Sequence, residues 1–289
     1  MRFATPCAAL ALTLLASTAI AHDFYLSPSA FAAPSGTPIA LEIGVGHAFV
    51  GDPMPYLSHT VASFAARSET GLRRSIDSVE GAHPAGIVRL PEGEWTITYR
   101  GLPWIQEMEP EAFRTHLREV GHTALLEHAP ATRVVQERVV RCARTIVQLG
   151  DVADTTSHFE GSEDPNDFCD LELRPLRREG DTWTIALLQG GVPLANETVH
   201  VVDVGASVSH HRHGKQRVTS ADGTFHVRTR PGRRWLVTAV QVEALWDDSE
   251  ADYRSDWASL SFGSPPRRAN PLRADRRPAG GRRSRLPWP

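Results

Sequence analysis

Apolar residues in the first third of the chain come in short runs, and glycine or proline cuts each run before it could complete three helical turns. Pro38 to Val45 reads Pro-Ile-Ala-Leu-Glu-Ile-Gly-Val, which puts Ile39, Leu41, Ile43 and Val45 on one face of a half-buried strand. Ala85 to Leu90 reads as another strand. After the Pro-Glu-Gly turn at 91–93, Glu94 to Tyr99 alternates again, with Trp95, Ile97 and Tyr99 on one side. Short alternating strands between frequent turns predict a mainly β chain built as β-sandwiches.

The segment Gly46-His47-Ala48-Phe49-Val50-Gly51-Asp52-Pro53 lacks the Lys-Ser/Thr and the following helix of a phosphate loop, so it reads as a loop between strands that presents His47. A helix is expected after Pro110, with Phe113, Leu117 and Val120 at helical spacing and Gly121 as its stop. His116 flanks that stripe and is read as packed or solvated. Val134 to Leu149 is apolar, contains four valines before Cys142, fits either a strand or a helix, and is read as a strand. Asp151 to Asp170 is acidic but lacks the alternating carboxylates of an EF-hand loop, so it reads as a solvated linker.

A second β pattern occupies Leu171 to Phe262. Its order of a small turn, Pro193-Leu194-Ala195, a strand, then Thr219-Ser220-Ala221-Asp222-Gly223 and another strand resembles transthyretin-like sandwiches of the carboxypeptidase-regulatory type. Asp222-Gly223 is expected to make a tight hairpin turn and to carry no chemistry. The organisation expected is therefore a signal peptide at 1–21, an N-terminal β-sandwich at 22–102 and a connecting region with a short helix and an acidic loop at 103–170. A C-terminal Ig-like or transthyretin-like sandwich at 171–262 and a disordered Arg/Pro-rich tail at 263–289 complete it.

The start of the chain predicts export. Met1-Arg2 precedes a short apolar core from Cys7 to Ala16, and Ala19-x-Ala21 forms a small-residue cleavage site. No segment approaches the roughly 20 apolar residues of a membrane span. The expected location is periplasmic or secreted. Charge is uneven: of a formal total of −3, the tail from 263 carries +7 and Arg2 carries +1, leaving residues 22–262 at −11. An acidic body suits cation handling and argues against nucleic acid. After cleavage two cysteines remain, Cys142 and Cys169. In an oxidising compartment they can pair or persist as two buried thiols, and a disulfide is the reading adopted.

Cleavage after Ala21 would make His22 the first residue of the mature chain. A terminal histidine can hold one metal ion through both its amine and its ring, two donors that titrate near ~8 and ~6.5. The predicted metal site combines the His22 amine and imidazole, His47 from the loop, and a carboxylate, Asp23 or Asp52. Nitrogen-rich tetragonal donors favour Ni(II) or Cu(II) over magnesium or calcium. His210-His211-x-His213 reads as a weaker metal collector on a flexible loop. His59, His83, His122, His128, His158, His200 and His226 are scattered and are assigned structural or solvated places.

Four stretches together resemble the NikM-like periplasmic proteins, a largely uncharacterised family associated with nickel and cobalt uptake transporters. They are His22-Asp23-Phe24-Tyr25-Leu26-Ser27-Pro28, Gly46-His47-x-Phe49-x-Gly51-Asp52, Pro110-Glu111-Ala112-Phe113-x-x-x-Leu117, and Trp257-Ala258-Ser259-Leu260-Ser261-Phe262. The resemblance implies a two-sandwich periplasmic protein that binds nickel or cobalt, possesses no assigned enzymatic reaction and works beside a membrane transporter. It carries over His22 and His47. Cys142 stands where an aromatic residue is expected, which adds weight to a disulfide. Enzyme signatures are missing: there is no Gly-x-Ser-x-Gly elbow, no His-Glu-x-x-His and no Cys-x-x-Cys. A non-enzymatic nickel- or cobalt-binding protein is the expectation, with a copper oxidase built on a histidine brace, or a metal-free β-sandwich binding module, as alternatives.

Overall fold

The computed structural model describes residues 23–151, 157–158, 169–205 and 214–264. His22, the signal-like segment before it, the His210-His211-x-His213 cluster and the Arg-rich tail lie outside them, as does most of the acidic stretch. In chain order the first strands are β1 (Asp23–Pro28), β2 (Ala32–Ala33), β3 (Pro38–His47), β4 (Val50–Met54), β5 (Val61–Ser68), β6 (Arg73–Ser75), β7 (Gly86–Arg89), β8 (Gly93–Gly101) and β9 (Trp104–Met108). The helix α1 (Pro110–Glu119) follows, then β10 (Val135–Leu149), β11 (Ser157–His158), β12 (Leu171–Glu179), β13 (Thr182–Gln189) and β14 (Val192–Pro193). The last are β15 (Thr198–Val204), β16 (Lys215–Val218), β17 (Thr224–Arg228), β18 (Arg234–Ala244) and β19 (Tyr253–Gly263).

These strands form three sheets. A central sheet runs β16-β15-β18-β19-β10-β8-β5-β6, with β2 and β9 also paired to β10. A front sheet holds β1, β3, β4 and β7, and a back sheet holds β11, β12, β13, β14 and β17. The front core joins Phe24, Leu26, Ile39, Leu41 and Ile43 to Trp95, Ile97, Ala143 and Val147. The back core joins Leu171, Trp183 and Ile185 to Ile146, Trp235, Val237, Leu260 and Phe262. In it the Phe262 ring stacks between Trp183, at 4.4 Å, and Trp235, at 5.8 Å. Each such ring stabilises the core by about 2–3 kcal/mol on burial.

Among the described residues the chain is mainly β with one short α-helix, as its alternation predicts. Strand β10 falls within the expected connecting region, yet it is the seam of the molecule. It pairs parallel with β19 from Glu137↔Tyr253 to Thr145↔Ser261, and antiparallel with β8 at Ile146 to Leu149. Its odd residues Ala143 and Val147 enter the front core while Ile146 enters the back core, which is why its sequence is apolar on both faces. Cys142 of β10 is joined by a disulfide to Cys169, which precedes the back-sheet strand β12.

The helix forms as its sequence dictates, with Pro110 in the first turn and Phe113 and Leu117 fully buried. Gly121 takes the left-handed conformation, φ 89°, and the His122 amide donates to the Leu117 carbonyl, closing the helix end. One turn differs from expectation. Asp222-Gly223 is no hairpin, because β16 before it pairs with β15 in the central sheet and β17 after it pairs with β13 in the back sheet. Asp222 Oδ1 accepts from the Ser220 hydroxyl and from Thr224 Oγ1 at 2.8 Å, fixing a crossover between layers.

Candidate metal-binding site

Asp23 opens β1 and lies in register with Gly46 of β3. This pairing brings the last residue of β3 beside it: His47 Nδ1 is 3.9 Å from Asp23 Oδ2. The segment 46–53 is not the open loop expected from its glycines. Strand β3 continues through His47, β4 begins at Val50, and Ala48-Phe49 alone make the turn, with φ of 53° and 62°. A two-residue hairpin of this kind demands positive φ at both positions, normally met by Asn or Gly. Holding two ordinary side chains there costs on the order of 1–2 kcal/mol each.

Packing holds them. Ala48 is buried with Tyr25, Val202, Val204 and Leu236, where the front sheet rests on β15 and β18. The Phe49 ring meets Tyr25 edge-on at 5.3 Å, and the Arg234 guanidinium sits 4.8 Å over its face. A tightly packed turn therefore aims His47, while the imidazole itself stays 55% exposed.

The other Asp23 oxygen, Oδ1, accepts a hydrogen bond of 3.1 Å from the Thr238 hydroxyl of β18. Alternation explains why Thr238 is available. Trp235, Val237 and Ala239 face the back core, so Leu236 and Thr238 face the front sheet. The same rule applies to β15, where Val199 and Val201 face back and Val202 and Val204 face front. His200 thus stands on the front side, directly across from Thr238.

The electrostatics follow from this geometry. The Asp23 carboxylate raises the His47 pKa above its ordinary value, against the opposing effect of partial burial. Burial lowers the His200 pKa, and the Asp23 charge pulls the other way. The Tyr25 phenol is pushed up to about 12 by burial and by the negative charges of Asp23 and Asp52, with Arg234 opposing. Asp52 is exposed on β4, across from Val45.

Of the four predicted donors, Asp23 and His47 are brought together, Asp52 stands one strand further out, and His22 lies outside the described residues. Among the described residues no three His, Cys, Asp or Glu side chains form a metal-holding group. Asp23 and His47 supply a carboxylate and an imidazole, and the residue bonded to Asp23 in the sequence is His22. A carboxylate and an imidazole are donor types that divalent transition metals accept. His116 is packed, 2% exposed, stacked on Trp257 at 5.4 Å and 3.5 Å from Glu137. Thr238, the hydroxyl partner of Asp23, is what sequence reasoning missed. The alternation around His200 is legible, but its register with Thr238 and the docking of β1 are not.

No curated protein sequence matches the chain. Among solved structures it is similar to the D0-D1 domain of Intimin at 12% identity, over 83% of this chain and 97% of that one, with a TM-score of 0.20. A likeness of that size carries no argument, and the β layers rest on the pairing described above. Residues 19–243 match the family model described as a domain of unknown function, DUF4198. That match takes in strands of all three sheets and both Asp23 and His47, with β19 of the central sheet beyond its end, and the chain belongs to the DUF4198 domain family.

Proposed function

We propose that the protein is an exported transition-metal-binding protein that supports nickel or cobalt uptake, handing the ion to a membrane transporter. The observation that carries this reading is the 3.9 Å approach of the His47 imidazole to the Asp23 carboxylate, one residue from the expected mature start. An amine, two imidazoles and a carboxylate suit Ni(II), Co(II) or Cu(II), and an acidic body attracts such ions. Asp23 is the better placed of the two candidate carboxylates, because Thr238 orients it. The resemblance to NikM-like periplasmic proteins favours nickel or cobalt as the cargo. Partial exposure of the pair leaves the ion a way in and out, as a carrier needs.

Calorimetric titration of the processed protein with Ni(II), Co(II) and Cu(II) tests this. Tight nickel or cobalt binding is expected, together with a mature N-terminus at His22 by mass spectrometry. One residue added before His22 should remove most of the affinity, since amine and ring would no longer close one chelate. His47→Ala should weaken binding by about tenfold or more with an unchanged circular dichroism spectrum. Failure to bind any of the three ions would overturn the function, and unchanged affinity in the extended variant would remove the terminal donor.

A further inference from the structure

We infer that His200 is a ligand of the same ion, so that the metal clamps the front sheet to the central sheet. The inference rests on the metal-binding reading and assigns it a donor from a different layer of the fold. Asp23 and His47 both belong to the front sheet, on β1 and β3. An ion held by these two alone would sit at the rim of that sheet. His200 belongs to β15 of the central sheet, and two geometric features point it at the pair.

The first is face. On β15 the back-facing positions are taken by Val199 and Val201, which leaves His200 on the side where β1 docks. The second is register. His200 is the antiparallel partner of Thr238, and side chains of directly opposed residues lie with Cβ atoms about 4.5–5.5 Å apart. Thr238 is itself hydrogen-bonded to Asp23 at 3.1 Å, so one short side chain separates His200 from the carboxylate.

A half-buried imidazole beside a hydrogen-bonded carboxylate is what a metal site keeps ready. Among the described residues His200 is not grouped with the other two donors. Rotation about its two side-chain torsions, within the staggered wells, is the movement that brings the ring to the ion; the strand stays in register. The arrangement also gives the binding step a mechanical consequence. An ion bonded to both layers adds its binding free energy to their docking, so the folded protein should resist heat in proportion to ion occupancy.

The test uses the processed protein with NiCl2, CoCl2 and CuCl2, and compares wild type, His200→Ala and His200→Gln by titration, thermal melting and pulsed EPR of the copper form. Expected are a weakening of about tenfold or more in both variants, loss of one imidazole from the nitrogen modulation, and loss of most of the ion-induced rise in melting temperature. The Gln variant keeps a polar side chain of similar length, so a change shared by both variants cannot come from a packing defect at Ala. If wild type binds and both variants keep its affinity and imidazole count, His200 is no ligand and the Asp23–His47 reading survives. If wild type binds none of the ions, that reading falls and this inference falls with it.

Discussion

On the back face of the central sheet, the Glu172 carboxylate is buried between two guanidiniums, Arg144 from β10 and Arg174 from its own strand. Arg174 Nε reaches Glu172 Oε1 at 2.6 Å and Arg174 Nη2 reaches Oε2 at 2.9 Å, while Arg144 Nη1 donates to Oε1. On the front face, the Asp23 carboxylate has one hydroxyl donor and one imidazole at ion-pair distance, and its side chain is 20% exposed. Burial would push Glu172 up, but the two arginines outweigh it and hold its carboxyl below the usual range. The contrast separates two uses of polar chemistry inside β layers. A carboxylate saturated by cations joins β10 to β12 and has nothing left to offer a ligand. A carboxylate met by one hydroxyl and by rings that can be neutral keeps lone pairs for an incoming ion.

Removing the back-face carboxylate should have the largest effect on stability. Glu172→Ala takes away the buried carboxylate to which Arg144, whose side chain is 7% exposed, is paired. Loss of one member of a buried pair costs about 3–5 kcal/mol, to be read from urea unfolding of the metal-free protein. A loss below about 1 kcal/mol would make the back-face pair no more structural than a surface one and would erase the contrast.

Glu94 sharpens it from the other side. This carboxyl, 2% exposed on β8, accepts from Gln148 Nε2 at 2.9 Å but has no guanidinium bonded to it, and burial raises its pKa to about 7. In the unfolded chain it titrates near 4.5. Between those values the folded state binds more protons than the unfolded one, so stability falls as pH rises from about 4.5 to about 7. Glu94→Gln should abolish that slope and stabilise the protein at pH 8 by about 3 kcal/mol, with no gain at pH 4. A pH-independent effect would mean that Glu94 is charged and paired after all, as Glu172 is.

How much of this was legible follows the range of the interactions involved. The period-two alternation at Ile39, Leu41 and Ile43, and at Trp95, Ile97 and Tyr99, is a local signal, and all six residues lie in the front core. The helix over Pro110–Glu119 and the strand over Val135–Leu149 were equally local. The hairpin turn at Ala48-Phe49 was not, because neither residue favours positive φ; only burial against Val202, Val204 and Leu236, more than 150 positions away, holds it. Asp222-Gly223 misled for the same reason: a turn motif cannot say that its two flanking strands join different sheets. His47 and Asp23 could be named from their motifs, whereas the place of His200 depends on a register between β15 and β18 that no local pattern specifies.

The smallest effect expected on stability is also the one that tests the comparison most closely. Thr238→Val keeps the shape of the side chain and removes the hydroxyl that orients Asp23. Because Asp23 is partly exposed, water can take over the lost donor, and the cost should be about 1 kcal/mol, or a fall of roughly 2–4 °C in melting temperature for a chain of this size. Metal affinity should suffer more than stability, by about tenfold or more, since a carboxylate free to rotate no longer meets the ion in a fixed position. Equal losses in the metal-free and metal-bound proteins would mean that Thr238 only packs β1 onto the central sheet. A loss near that of Glu172→Ala would mean that the front-face carboxylate is as structural as the back-face one.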